Sequence, residues 1–274
     1  MEVYKMEELT NKQNEWVRAM KLKALEMALS TGSNGSHIGG ALSSMEIFSV
    51  LYTTANVRDM KAEDRDRIIV SKGHCVLSYY TALWQYGYIT EEELNTFDTD
   101  GTHYHGHPSR NLEKGIEFSA GSLGLGLSYA VGVGIACKKK GLKNRIYVVV
   151  GDGECDEGIV WEALMSISHY KLDNMTIIID HNKYQLDGEI KDVMELSSLT
   201  EKMSAFGMEV ISANGHSCEE LTGALQVKAS KPCVVIADTI KGNGVSFLIN
   251  NKMAHQCPIS RKQYEKAVSE LEEL

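Results

Sequence analysis

Two short apolar runs, separated by one helical stretch and each ending in a polar turn, constrain this chain more than any other feature. Residues 146–150 are apolar and mostly β-branched, as suits a strand buried on both faces, and they stop at Gly151-Asp152-Gly153. Residues 158–170 then repeat apolar side chains at helical spacing (Ile159, Leu164, Ile167), and residues 175–179 form a second buried run. Strand, turn, helix, strand is the repeating unit of a parallel sheet, in which the carboxyl ends of neighbouring strands open on the same edge. Asp152 and the loop 180–188 are therefore expected side by side at that edge, where such sheets bind their ligands.

That edge has the chemistry to hold an anion and a cation together. Glycines on either side of Asp152 let the backbone approach an anion closely, and the following helix offers unpaired N–H groups at its start. One carboxylate cannot hold a divalent ion alone, but Asn182 offers a neutral oxygen from the second strand end, and loop carbonyls and phosphates can complete an oxygen shell. A lone Gly-Asp-Gly is equally compatible with an ordinary tight turn. The asparagine 30 residues beyond the aspartate adds the decisive restriction.

Together the two elements resemble the thiamine diphosphate signature, GDG followed at this spacing by Asn. With GDGECDEGIVWEA before the asparagine and IIIDHNKYQLDG around it, the chain resembles the N-terminal half of a transketolase. The resemblance implies an α/β thiamine diphosphate-binding fold, a mostly parallel sheet flanked by helices on both faces. It implies the Asp152 and Asn182 side chains and the Tyr184 backbone carbonyl as ligands of Mg²⁺, or of Ca²⁺ or Mn²⁺ in its place, with Gly153, Glu154 and Asn182 against the cofactor. His181, just before the asparagine, departs from the family pattern.

At 274 residues the chain is one large α/β domain or two small ones, and its 43% hydrophobic content is enough for a full core. Three prolines, no low-complexity tract and no internal repeat leave no boundary, so residues 1–274 read as a single diphosphate-binding domain with a helical lead-in and a charged C-terminal helix. A formal charge of −9 argues against a general nucleic-acid surface, so an anionic ligand must be held locally. No secretory h-region and no apolar run of membrane length occur, which gives the expectation of a soluble cytoplasmic protein. The six cysteines form no CxxC pair and no zinc spacing, as expected of reduced thiols.

The remaining motifs fall into place along the chain. Residues 11–29 read as an amphipathic helix ended by Ser30-Thr31-Gly32, residues 35–40 as a glycine-rich loop, and residues 41–52 as a helix. A loop histidine such as His37 is usually idle and solvated, but SNGSHIGGALSSMEIFSVLY resembles the transketolase opening, which implies that His37 faces the reacting carbon and moves protons on sugar hydroxyls. Residues 67–70 read as a short strand turning through Ser71-Lys72-Gly73-His74 into a helix that ends near Tyr86. The resemblance places His74 on the diphosphate, with Cys75 where many members have a small residue.

His103, His105 and His107 alternate, and in an extended segment all three would share a face suited to a transition metal, although no fourth ligand is near. His107-Pro108 instead matches the family's GHP element, implying contact with the donor sugar, and leaves His103 and His105 as loop residues. Gly121-Ser122-Leu123-Gly124-Leu125-Gly126 is a poor dinucleotide fingerprint: 116–120 is a weak strand before it, a helix 127–138 follows, and no acidic residue ends the next strand at the required distance. The stretch resembles the family's GSLGQG, implying that Gly121, Ser122 and Leu123 meet the cofactor's aminopyrimidine ring, with Leu125 in place of glutamine.

Glu157 near the helix start has an ordinary dipole role, while the resemblance implies a carboxylate relay at a subunit interface. Residues 231–237 read as another buried strand, after which Lys241, before Gly242 and Gly244, suits a phosphate contact. His255 resembles the family histidine that spans cofactor and substrate, although the triplet is Ala254-His255-Gln256 where the family has Trp-His-Gly. Residues 261–274 read as a charged outer helix.

In the family the glutamate that activates the cofactor belongs to a pyrimidine-binding domain, which would begin about where these residues end. The resemblance therefore implies a separate partner carrying the pyrimidine-binding and C-terminal domains, a heterotetramer of two such pairs, and transfer of a two-carbon ketol unit between sugar phosphates. Two alternatives stay open from the sequence: a deoxyxylulose-phosphate synthase-like or 2-oxo acid dehydrogenase-like subunit, and a catalytically silent cofactor-binding module.

Overall fold

The apolar runs pair as parallel strands. The computed structural model describes residues 2–227 and 230–273. Its first half runs α1 (Glu2–Ser30), α2 (Ile38–Leu42), α3 (Met45–Thr54), β1 (Arg67–Val70), α4 (Val76–Tyr86), α5 (Glu91–Leu94), α6 (Leu125–Lys139) and β2 (Ile146–Gly151). The second half runs α7 (Gly158–His169), β3 (Met175–His181), α8 (Ile190–Val193), α9 (Leu199–Ala205), β4 (Glu209–Asn214), α10 (Cys218–Gln226), β5 (Cys233–Asp238) and α11 (Arg261–Glu272). The strands form one sheet in the order β1-β2-β3-β5-β4, and every neighbouring pair is parallel.

Alternation along the central strands builds two cores. Tyr147, Val149, Ile178 and Val235 point to one face, where they join apolar residues of α1, α3, α4 and α10 such as Met20, Phe48, Leu77 and Leu221. Val148, Val150, Ile177, Ile179, Val234 and Ile236 point to the other, against Leu127, Leu164, Ile167 and Met203 from α6, α7 and α9. A sheet covered on both faces has to be apolar on both, and β2 and β3 are buried along nearly their whole length. The α/β sheet with helices on both faces is as the sequence predicts.

Three local readings need correction. The segment 35–40 is not loop throughout, because α2 begins at Ile38, and the helix read over 41–52 is broken between α2 and α3. Ser43 and Ser44 sit at the break: Ser43 Oγ donates to Asp180 at 2.6 Å and Ser44 Oγ donates to the Gly40 carbonyl at 3.0 Å. Residues 116–120 join no sheet, since Ile116 bridges only Asn111 and the Glu117 carboxylate turns inward to Arg65. The C-terminal helix ends at Glu272, and Leu274 lies outside the described residues.

Candidate functional site

Strand register delivers the two proposed cation ligands together. Gly151 of β2 is the partner of Asp180 in β3, so Asp152 and Asn182 follow at adjacent strand ends. The Asp152 amide donates to the Asp180 carbonyl at 3.2 Å, and the Lys183 amide donates back to Asp152 Oδ2 at 2.5 Å. Lys183 holds a left-handed φ of 68°, which costs a β-carbon-bearing residue about 1 kcal/mol or more and folds the loop tightly over the strand end. The Tyr184 amide is thereby turned to donate to Asn182 Oδ1 at 3.1 Å. Asp152, Asn182 and Tyr184 line one cleft of about 260 Å³.

A buried ion pair sets the orientation of Asn182. Lys72 and Asp180 are both fully buried and in contact, and Asp180 also accepts hydrogen bonds from the hydroxyls of Ser43 and Thr239. Burial alone would push Lys72 down and Asp180 up, but their mutual attraction outweighs it, so the lysine is held above and the carboxyl below its usual range. Asn182 Nδ2 donates to Asp180 at 3.3 Å and to Ser43 at 3.4 Å, which commits the amide nitrogen to the core and leaves the oxygen on the loop side. Sequence reading singled out neither Lys72 nor Asp180. The signal was present, since each is a charged residue set among residues that must be buried.

The four histidines proposed from separate segments line this same cleft. The ring of His37 lies 5.1 Å from that of His107, 5.3 Å from that of His255 and 6.1 Å from that of His74, centroid to centroid. His74 and His255 are 5.2 Å apart. Burial, reinforced by His107, pushes His37 down to about 4, and burial with Lys241 nearby does the same to His255, also to about 4. His74 is pushed down too, by burial and by Lys72. Near neutral pH these imidazoles carry no charge, so each has one nitrogen to donate and one to accept.

The backbone that carries them is tied together. Ser36 and Cys257 form an antiparallel bridge, joining the His37 segment to the His255 segment. Ala254, where the family resemblance called for tryptophan, is fully buried, and a β-carbon on Gly39 would fall 2.5 Å from its carbonyl oxygen. The two segments approach more closely than a larger side chain at either position allows. Cys75, the other small-residue position, is buried, and burial pushes its thiol up to about 12, which makes it a packing residue.

The other proposed residues divide. Gly121, Leu123, Gly153 and Glu154 line the cleft. Both oxygens of Glu154 are already committed: Oε1 accepts from the Ser71 hydroxyl and from the Gly124 amide at 2.7 Å, and Oε2 accepts from the Gly151 amide at 3.0 Å. Its carboxylate braces the turns around β1, β2 and α6. Gly124 has a φ of 80°, and a β-carbon there would fall 2.4 Å from Ile159 Cγ2, so α6 meets α7 at a position only glycine fits. Ser122, Leu125 and Glu157 are exposed and stand outside the cleft.

Lys241 does not line the cleft, but its buried ammonium donates to the Gln185 carbonyl at 2.9 Å and sits 5.8 Å from the Tyr184 ring. Gln185 and Leu186, which sequence reading passed over, line the cleft beside Tyr184. His103 and His105 are exposed, and among the described residues no group of three His, Cys, Asp or Glu converges to hold a metal, so the three alternating histidines do not form a zinc site.

The charges at the strand ends fit a cation carrying an anion. Burial, with Asp180 nearby, raises Asp152 to about 7, and among the described residues no basic side chain pairs with it. A carboxylate so placed gains either from a proton or from a bound cation. Burial, with Lys72 nearby, lowers Lys241 to about 8, and an anion beside it would restore its charge. One carboxylate, one amide oxygen and loop carbonyls form a hard, all-oxygen donor set of the kind magnesium and calcium take.

Comparison with known proteins agrees with this geometry. Residues 12–271 match the sequence family described as "Transketolase, thiamine diphosphate binding domain". The chain is 41% identical over 244 residues to an apulose-4-phosphate transketolase subunit from Actinobacillus succinogenes, covering 87% of this chain and 88% of that one. It is 38% identical over 246 residues to the 6-deoxy-6-sulfo-D-fructose transketolase subunit SqwG of a Clostridium species, covering 86% and 88%. Among solved structures, the transketolase of Leishmania mexicana superposes with a TM-score of 0.86 at 26% identity, covering 95% of this chain but 41% of that chain.

Proposed function

The chain belongs to the transketolase family, in which it is the thiamine diphosphate binding domain, and on that premise we propose that it is one subunit of a divided transketolase. The observation that carries this reading is the convergence of Asp152, Asn182 and Tyr184 from two adjacent strand ends on the cleft that His37, His74, His107 and His255 also line. The names of the two bacterial relatives, each described as a subunit, support the division, because each relative is matched over 88% of its length.

In this reading Asp152 and the Asn182 side chain, with the Tyr184 carbonyl, hold a divalent cation of the magnesium type. Gly153 and His74 face the diphosphate, and Lys241 supplies positive charge from behind Gln185. Thiamine diphosphate, when bound, supplies the carbanion chemistry. The protein's part is to place and polarise. His37, with the rings of His107 and His255 5.1 and 5.3 Å away, joins them in donating to and accepting from the hydroxyls of a ketose phosphate donor and an aldose phosphate acceptor; the donor leaves as an aldose phosphate two carbons shorter and the acceptor leaves as a ketose phosphate two carbons longer. Gly121, Ser122 and Leu123 border the cofactor's pyrimidine end, and Glu157 lies on the exposed start of α7, the surface a partner chain would cover. That partner would bring the pyrimidine-binding and C-terminal domains, and two such pairs would make a heterotetramer.

Mixing the chain with a separately encoded pyrimidine-binding subunit, thiamine diphosphate and Mg²⁺ in a coupled ketol-transfer assay tests the proposal. Turnover is expected only in the mixture. Full turnover by this chain alone contradicts the division into subunits, and cofactor binding without turnover in the mixture marks a silent module.

A further inference from the structure

Lys241 stands behind the cleft wall, between the exposed Ile240 and a turn anchored in the core by Val245 and Leu248. Its neighbour Ile240 leaves the strand end with a side chain 40% exposed, while Lys241 itself is 1% exposed. The peptide entering Ile240 is fixed by a side chain from elsewhere: the Ile240 amide donates to Nε2 of His216 at 2.8 Å. A ring nitrogen that accepts an amide hydrogen carries no proton, so the proton of neutral His216 is on Nδ1. Nδ1 lies 3.0 Å from the Asn243 side-chain amide and 3.2 Å from Oε2 of Glu46, and the carboxylate accepts its proton. Glu46 is itself buried and held by Lys21, whose ammonium donates to Oε1 at 2.9 Å.

Lys21 on α1, Glu46 on α3 and His216 in the turn between β4 and α10 thus form a line of hydrogen bonds that starts in the core and ends near the surface, on the backbone just before Lys241. Glu46 selects the tautomer, and the tautomer selects the acceptor. Downstream, the Gly242 amide donates to the Gly39 carbonyl at 3.0 Å and the Asn250 amide donates to the Lys241 carbonyl at 2.9 Å, so the segment is clamped on both sides of the lysine. Lys241 and His216 are not in contact through their side chains, and any coupling between them passes through this backbone.

We propose that His216, kept in its Nδ1–H form by Glu46, is a positioning residue that fixes the Thr239–Ile240 peptide just before Lys241 and so holds the Lys241 ammonium at the Gln185 carbonyl, on the wall of the cleft and beside a diphosphate group bound there. The proposal rests on the reading of the cleft as a thiamine diphosphate site. It assigns a role in ligand binding to a histidine on the far side of β5 from the four that line the cleft.

A double-mutant cycle on the full chain tests it, with thiamine diphosphate and Mg²⁺ titrated by calorimetry into four proteins: unaltered, His216→Phe, Lys241→Met and the double variant. His216→Phe keeps a ring of similar shape but offers Ile240 no acceptor, and is expected to weaken binding about tenfold, equivalent to about 1.4 kcal/mol. His216→Gln, which can still accept from the amide, is expected to recover most of the loss. In the double variant the effect of His216→Phe should vanish, because there is no ammonium left to hold.

Losses that simply add, or a His216→Gln variant as weak as His216→Phe, overturn the positioning role and leave the site reading intact. Should the unaltered chain bind no thiamine diphosphate, or Lys241→Met bind as well as the unaltered chain, the assignment of the lysine to the diphosphate fails, and the positioning role fails with it. A His216→Phe protein that does not fold is replaced by Glu46→Gln. That variant can hold the opposite tautomer of His216, and should weaken binding through Lys241 in the same non-additive way.

Discussion

Asp152 is a carboxyl whose burial makes it hold a proton more tightly than usual. Its folded pKa of about 7 lies above the usual carboxylate range because burial and Asp180 both oppose its charge. Between the usual value and about 7 the folded chain binds a proton that the unfolded chain has released, so this group makes the cation-free protein less stable as pH rises through that window. His37 and His255, lowered to about 4, act in the opposite sense below their ordinary value, since unfolding there takes up protons. The whole-chain pH profile therefore mixes the two, and a single substitution separates them. Without cation, Asp152→Asn should be more stable than the unaltered chain at pH 8, with the gap closing toward pH 5, as measured by urea denaturation. Adding Mg²⁺ and thiamine diphosphate should reverse the order, because only the carboxylate gains the ion.

At this scale the sequence reached most of the groups that line the cleft and missed those that stand behind them. Asp152, Asn182 and the four histidines were legible because a turn triplet, a fixed spacing and a set of short motifs each named a chemical type. Lys72, Asp180, His216 and Glu46 were not, because their function lies in contacts between residues far apart in the chain, such as Lys72 with Asp180 and His216 with Glu46. Glu154 lines the cleft with its carboxylate turned to the protein. Its place beside the GDG turn suggested the cofactor, and its two oxygens are occupied by Ser71, Gly124 and Gly151.

Among the elements, β1, β2, β3 and β5 were visible as apolar runs, and their parallel order followed from the helices between them. The edge strand β4 was not read at all. Its residues alternate weakly, with Glu209, Ser212 and Asn214 among them and only Ala213 buried, so it carries no run of the kind a central strand needs. The split between α2 and α3 was equally hidden, since Ser43 breaks the helix to reach a carboxylate on another element.

The segment after β5 is the element most sensitive to a single added carbon. Gly242 has a φ of 78°, and a β-carbon there would fall 2.2 Å from the Leu248 carbonyl oxygen. Gly242→Ala is expected to cost about 2 kcal/mol or more of stability and to loosen Lys241, so that denaturation midpoint and thiamine diphosphate affinity fall together. Unchanged affinity in a folded Gly242→Ala protein would separate the segment's geometry from ligand binding.

For the molecule as a whole, the sheet serves as the frame on which strand ends are held in register. Two cores grip the five strands from opposite faces, and the groups proposed to hold the ligand leave from the carboxyl ends of β1, β2, β3 and β5 or from segments packed over them. The chain spans 41% of the solved transketolase it superposes on. At this scale the α/β class and the family were legible in the sequence, from its apolar runs and its ordered motifs.

The account stands most directly on the claim that Asp152 and Asn182 bind a cation that in turn binds the cofactor's diphosphate. Titrating thiamine diphosphate into the full chain by calorimetry, with Mg²⁺ and again with excess EDTA, measures this for the unaltered protein and for Asp152→Ala. The unaltered chain should bind in Mg²⁺ and lose at least about tenfold in affinity with EDTA, while Asp152→Ala should bind weakly and to the same extent in both. Equal binding by the unaltered chain with and without the cation, or a cation-dependent gain that survives Asp152→Ala, would contradict it.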